Sequence, residues 1–168
     1  MSGRKMACYD CDEGMETDTV HFVMTVVMTG FVAIAIWELW GRHLAPFIYG
    51  HELSAADIIK ALLGINDKLV AEAVYFVTAI PLVSLMYMFV WRPLIKATVI
   101  AENWVLSGGL YGLSLFVLAA SLKSFVMTTP SHATLFSSSS SGWLIGALFT
   151  GIATAGFIHL REMGRQII

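Results

Sequence analysis

Four stretches of mainly apolar residues dominate this chain, each about the 20 residues that a helix needs to cross a bilayer. They run from about His21 to Trp40, Leu69 to Trp91, Trp104 to Met127 and Gly142 to Leu160. A water-soluble core cannot hide that much apolar surface in 168 residues. Hydrophobic residues make up 57% of the chain and charged residues only 13%, where an ordinary soluble domain carries about 25% charged. The fold read from this pattern is an all-α, four-span membrane bundle. Trp40, Trp91, Trp104 and Trp143 stand at the span limits, where the headgroup layer favours aromatic rings. The formal net charge of −2 offers no bulk attraction for nucleic acid.

Residues 1–20 form an acidic tail ahead of the spanning domain, residues 21–168. The tail, "MSGRKMACYDCDEGMETDTV", lacks the apolar h-region of a secretory signal, so the first span is expected to be retained as an anchor. Cys8 and Cys11 make one CxxC within it. A structural zinc site uses four ligands, commonly from two such pairs, and one pair is half a site. Two reduced thiols are the plainer reading; metal binding completed by a partner, or a redox role, is the alternative.

The connection over residues 41–68 is long for a helical bundle. Within it Ser54 reads as an N-cap, with Asp57 favourable at the helix start. Ile58, Ile59, Leu62 and Leu63 fall on one helical face, and Gly64 reads as the stop. The spacing predicts a short amphipathic helix lying in the interface or against the bundle. "WRPLIKATVIAEN" is expected to follow the membrane surface, and the serine-rich "TTPSHATLFSSSSSG" to be a flexible loop. Pro81, midway along span two, is expected to bend its helix.

Basic residues set the expected sidedness. Arg4, Lys5, Arg92, Lys96, Arg161 and Arg165 fall on the side of the termini, and Arg42, Lys60 and Lys68 on the other. The excess places both termini in the cytoplasm. Three charges then share one depth near the outer boundary: Glu38, Glu72 and Lys123, each from a different span. Charges inside a bilayer turn to the bundle interior and pair, so Lys123 is expected to bridge the two glutamates. Separate snorkelling to the headgroups, or a proton or ion path, are the alternatives.

Small residues point to the helix contacts. Gly108 and Gly112 form a GxxxG in span three, and Gly142, Gly146, Ala147, Gly151 and Ala155 recur along span four. Such ridges let backbones approach closely, so spans three and four are expected to pair tightly, with room for one ridge to face another protein.

Candidate chemistry is sparse. His21 and His159 lie near the cytoplasmic ends of spans one and four and could ligate a haem b across the bundle, although haem ligands usually sit within the span. His43, His51, Glu52 and His132 could hold copper or zinc on the other side. Histidines satisfied at the interface are the plainer reading, and no cofactor is expected. Met24, Met28, Met86 and Met88 read as packing residues. P-loop, GxSxG, HExxH and dinucleotide motifs are missing, and no enzyme activity is expected.

The elements "WELWGRHLAP", "DIIKALLG", "RPL" and "GGLYGLSLFVLA" together resemble an uncharacterised group of small four-span bacterial inner-membrane proteins. The resemblance implies the four-span fold and that location, and it brings no activity. Relatives of that kind carry a histidine early in spans two and four. Here those places read "EAVYF" and "SSGWL", so a metal or haem role tied to those histidines does not carry over. Three functions follow as expectations. The first is a non-catalytic accessory subunit of a larger membrane complex, such as one moving electrons or protons. The second is a small oligomeric transporter or channel, and the third a b-type haem protein.

Overall fold

The computed structural model describes residues 10–96, 98, 103–126 and 138–165. The helices are α1 (Asp10–Glu38), α2 (Ala45–Tyr49), α3 (Ala56–Leu63), α4 (Lys68–Leu85), α5 (Arg92–Ile95), α6 (Trp104–Val126) and α7 (Ser138–Arg165). Two π-helical turns, Leu39–Leu44 and Met86–Trp91, join α1 to α2 and α4 to α5. Four long helices are apolar enough to cross a bilayer: Thr19–Tyr49, Lys68–Ile95, Trp104–Leu122 and Ser140–Gly164. The chain is an all-α, multi-pass membrane protein with a short helix in its first long loop.

Several limits differ from the expected ones. Helical backbone reaches back to Asp10, into the acidic tail. The first long apolar helix runs past Trp40 to Tyr49, and Trp40 is a packing residue within it. It is 6% exposed, and its indole Nε1 donates to the Gly142 carbonyl at 2.8 Å. The second spanning helix extends from Trp91 to Ile95. Ser138 to Ser141 belong to α7 and not to a flexible loop, and Ser141 Oγ donates to Tyr49 Oη at 3.2 Å. Helix α3 begins at Ala56 behind Ala55, so Ser54 is not its cap; Asp57 does occupy the first turn. Gly64 ends it at φ 66°, a left-handed conformation that suits glycine. Helix α4 is started by Asp67, whose carboxylate accepts from Leu69 N at 2.8 Å.

Each π turn ends two positions before a proline, Pro46 and Pro93. A proline has no N–H and its ring crowds the carbonyl four residues back, so a widened turn relieves the clash. The widening is explicit in the hydrogen bonds. Ala45 N–H reaches Trp40 O, and Arg92 N–H reaches Tyr87 O, each five residues back. At the first π turn this has a consequence for the loop. The Gly41 carbonyl would normally receive Ala45 N–H, which is committed to Trp40, and Pro46 has nothing to give. Gly41 O instead accepts Leu53 N–H from the loop at 3.1 Å. A Cβ at Gly41 would collide with the Leu53 carbonyl, so only glycine permits the approach. Leu53, 3% exposed, then packs with Trp40 and Ala45. This seating draws the loop back over the bundle and places α3 against α4 and α6. The irregular winding thus lies at Pro46 and Pro93, while α4 continues as α-helix through Pro81.

The long helices follow one another around the bundle as α4, α1, α7, α6, with a glycine at each crossing. Gly30 of α1 meets the Ile80 backbone of α4. Gly146 of α7 seats the rings of Trp37 of α1 and Trp40 of the first π turn. Gly108 and Gly112 of α6 meet the backbone of α7 at Gly151, Ile152, Ala147 and Leu148, with the Ala155 side chain also against Gly108. Helix α7 therefore carries two small-residue stripes offset by one position. Gly142 and Gly146 serve the α1 side, with Gly142 also against Leu53 and Tyr49; Ala147, Gly151 and Ala155 serve α6.

Two predictions follow from these contacts. Gly112→Ala forces its methyl onto α7 and should lower stability in micelles by about 1–3 kcal/mol. Gly109→Ala meets nothing within 4 Å and should raise it by about 0.5–1 kcal/mol. Thermal unfolding followed by circular dichroism compares the two, and equal effects would contradict the crossing described. Pro46→Ala restores an N–H, lets the π turn tighten and releases Gly41 O from Leu53. Faster amide exchange at Leu53 and faster proteolysis of residues 50–67 are expected, and unchanged exchange would separate the loop from the proline.

Candidate functional site

Ionisable side chains meet at both ends of the bundle. At the end far from the termini, Arg42 lies in the first π turn and reaches two carboxylates. Its Nε donates to Glu38, one helical turn back, and its Nη2 lies 3.1 Å from Glu72 Oε1 on α4. Arg42 is 38% exposed at its side chain, Glu38 20% and Glu72 17%, so the carboxylates are the more shielded members. Two carboxylates around one guanidinium leave the cluster with a formal charge of −1. The structure thus brings Glu38 and Glu72 together through Arg42. Lys123 lies on the α6 backbone, with its side chain outside the described residues. Arg42 was missed in reading the sequence because it falls just beyond the expected limit of span one. The signal was present in the Glu38–Arg42 spacing, which puts an acid and a base on one helical face.

Below this cluster the bundle opens. A cavity of about 220 Å³ lies between α4 and α6, with Trp37, Trp143 and Ala147 at its back and Ile58 and Ile59 of α3 over it. Its walls include Tyr75, Leu82, Phe116, Leu118 and Leu122. Trp37 and Trp143 stand 5.0 Å apart between ring centroids. The Trp37 indole Nε1 is buried and has no hydrogen-bond partner among the described residues; Thr29 Oγ1 is the other such atom. Nearer the termini α4 and its continuation are tied to α6. Tyr111 Oη donates to Val83 O at 2.6 Å, Tyr87 Oη lies 3.0 Å from Ser107 Oγ, and Trp91 Nε1 donates to Ser107 O at 3.1 Å. The two helices are thus laced at one end and parted at the other.

At the termini end Arg92 holds Glu162 of α7 with both guanidinium arms, Nη1 to Oε1 and Nη2 to Oε2, the latter at 2.8 Å. His159 stacks on Trp104 at 6.4 Å and 17°. His21 is exposed on α1, where its backbone carbonyl accepts from Thr25 Oγ1 at 2.8 Å. Arg161 of α7 in turn donates to that Thr25 Oγ1 at 2.9 Å. His51 Nδ1 lies 2.9 Å from Tyr49 O. His43 and Glu52 are exposed, and Cys8, His132 and the side chain of Cys11 lie outside the described residues. Among the described residues, no three His, Cys, Asp or Glu side chains gather as a metal site.

No family model, no curated protein and no solved structure matches this chain.

The Arg42 cluster makes a thermodynamic prediction. Arg42→Gln leaves two shielded carboxylates facing each other, so it should destabilise more than the triple change with Glu38→Gln and Glu72→Gln. Double-mutant cycles in detergent unfolding should give an Arg42–Glu72 coupling of about 0.5–1 kcal/mol that shrinks as salt is added. Zero coupling at low salt would show that the contact contributes nothing.

Proposed function

We propose that this chain is a non-catalytic subunit that packs against a larger membrane complex, with the α4–α6 cleft as its docking face. The observation that carries this reading is the cleft itself. Apolar side chains facing lipid gain nothing by meeting other apolar side chains, so association between membrane helices relies on shape and close packing. A cavity of about 220 Å³ is too small for a helix and large enough to receive side chains from one. Leu82 on one wall and Leu118 and Leu122 on the other, with α3 overhead, make a socket for a neighbouring span that presents large side chains. The tethered loop supports the same reading, since Gly41 and Leu53 hold α3 in place without any partner.

Lys60 and Lys68 with Arg42 lie toward the far end, and Arg92, Lys96 and Arg161 toward the termini end. We propose that the termini end faces the cytoplasm, on the excess of basic residues expected there, and that the membrane is a bacterial inner membrane, on the resemblance noted in the sequence.

Ala119 lines the cleft, so Ala119→Trp should fill it without disturbing the α6–α7 crossing. After mild solubilisation the unaltered chain should migrate on a native gel within a large assembly whose other members mass spectrometry identifies. The Ala119→Trp chain should migrate alone with its helical content and melting temperature kept. A chain that runs alone before any substitution, or that conducts ions by itself in liposomes, would refute the subunit reading and favour transport.

A further inference from the structure

We propose that the termini end of the bundle carries a binding site for the phosphate headgroup of an anionic phospholipid. A cavity of about 140 Å³ opens there between α5, the start of α6 and the end of α7. Its rim carries Arg92, Lys96 and Glu162, its side wall is the Trp104–His159 stack, and its floor includes Tyr87 and Ser107. These groups are chiefly donors. Glu162 is the one carboxylate in the lining, and both its oxygens are occupied by Arg92. Lys96 is exposed and makes no ion pair among the described residues. Tyr87 and Ser107 line the floor and share one hydrogen bond between two hydroxyls, which uses one of their two protons. Two cations against one anion give the rim a formal charge of +1. The chemistry therefore suits a ligand that only accepts hydrogen bonds and carries negative charge, which is a phosphate ester.

The surroundings indicate a lipid as its source. Trp104 and Trp91 stand beside the cavity at the end of the spans, the depth of lipid headgroups. Val90 and Leu94 on one side and Val105 and Leu106 on the other are exposed apolar residues, positioned to run alongside acyl chains. Basic pockets between membrane helices bind anionic headgroups by this combination. The site is independent of the α4–α6 cleft and does not rest on the subunit reading.

The test uses the full chain in detergent micelles, titrated with phosphatidylglycerol, phosphatidylcholine or inorganic phosphate and read by native mass spectrometry and tryptophan fluorescence. Phosphatidylglycerol should bind at least about fivefold more tightly than phosphatidylcholine, since one lysine near the membrane surface is worth about 1 kcal/mol toward an anionic lipid. Lys96→Gln should weaken phosphatidylglycerol by about fivefold on the same grounds, with the melting temperature of the lipid-free protein unchanged. Lys60→Gln, at the opposite end, should leave binding as it was. Equal affinity for the two lipids, or equal losses from Lys96→Gln and Lys60→Gln, would overturn the site. Full displacement of phosphatidylglycerol by millimolar inorganic phosphate would overturn the lipid as its source.

Discussion

Within a bilayer, helices gain little by hiding apolar side chains from one another, and the bundle is held by how closely backbones can approach. Helix α7 shows this most directly. One stripe of small residues takes the indoles of Trp37 and Trp40, and the next, one position along, takes the backbone of α6. Helix α1 repeats the device once, at Gly30 against Ile80. The buried hydroxyls on α7 disturb none of this, since Thr150 and Thr154 donate to carbonyls of their own helix at 2.9 and 2.8 Å. The charged contacts lie at opposite ends: Arg42 with its two glutamates reinforces the α1–α4 side that Gly30 brings together, and Arg92 with Glu162 ties α5 to α7.

The backbone itself obeys a stricter rule than the side chains. In lipid an unpaired carbonyl or amide costs several kcal/mol, so every break in a helix must be repaired locally. At Pro46 the repair runs through the loop. A widened turn leaves the Gly41 carbonyl without a helical donor, and Leu53 supplies one. That single bond links a proline in the first spanning helix to the position of α3, and so to the roof of the cleft. The proline, the glycine and the leucine act as one unit although Pro46 lies five positions and Leu53 twelve positions beyond Gly41.

Much of the architecture was legible in the sequence because bilayer thickness imposes a length that composition can report. The four spans, the GxxxG at Gly108 and Gly112 and the helix ended by Gly64 are local patterns, read without knowing what they touch. The site was less legible for the opposite reason. Trp40 and Trp91 stand where interface residues are expected, and each also hydrogen-bonds across the bundle to a carbonyl of another helix, which no local pattern reveals. Gly146 stands one position off the four-residue steps of Ala147, Gly151 and Ala155, and only the third dimension assigns that offset to a different neighbour. Arg42 escaped because a span drawn to end at Trp40 leaves it in a loop. Extending the helix through the π turn is what brings it level with Glu72.

The offset stripes on α7 have a mechanical consequence. A helix gripped on two sides by residues one position apart cannot roll toward one neighbour without lifting from the other. The α1–α7–α6 side is therefore stiff, and the compliance of the molecule concentrates where α4 and α6 part. There α4 and α6 are tied by the tyrosines near Ser107 and parted farther on, and the cavity between them is walled by Leu82, Leu118 and Leu122, exposed side chains that turn its mouth sideways, toward the hydrocarbon. The buried edge of Trp37 thus looks out between helices, along the plane of the bilayer, and not toward either aqueous face.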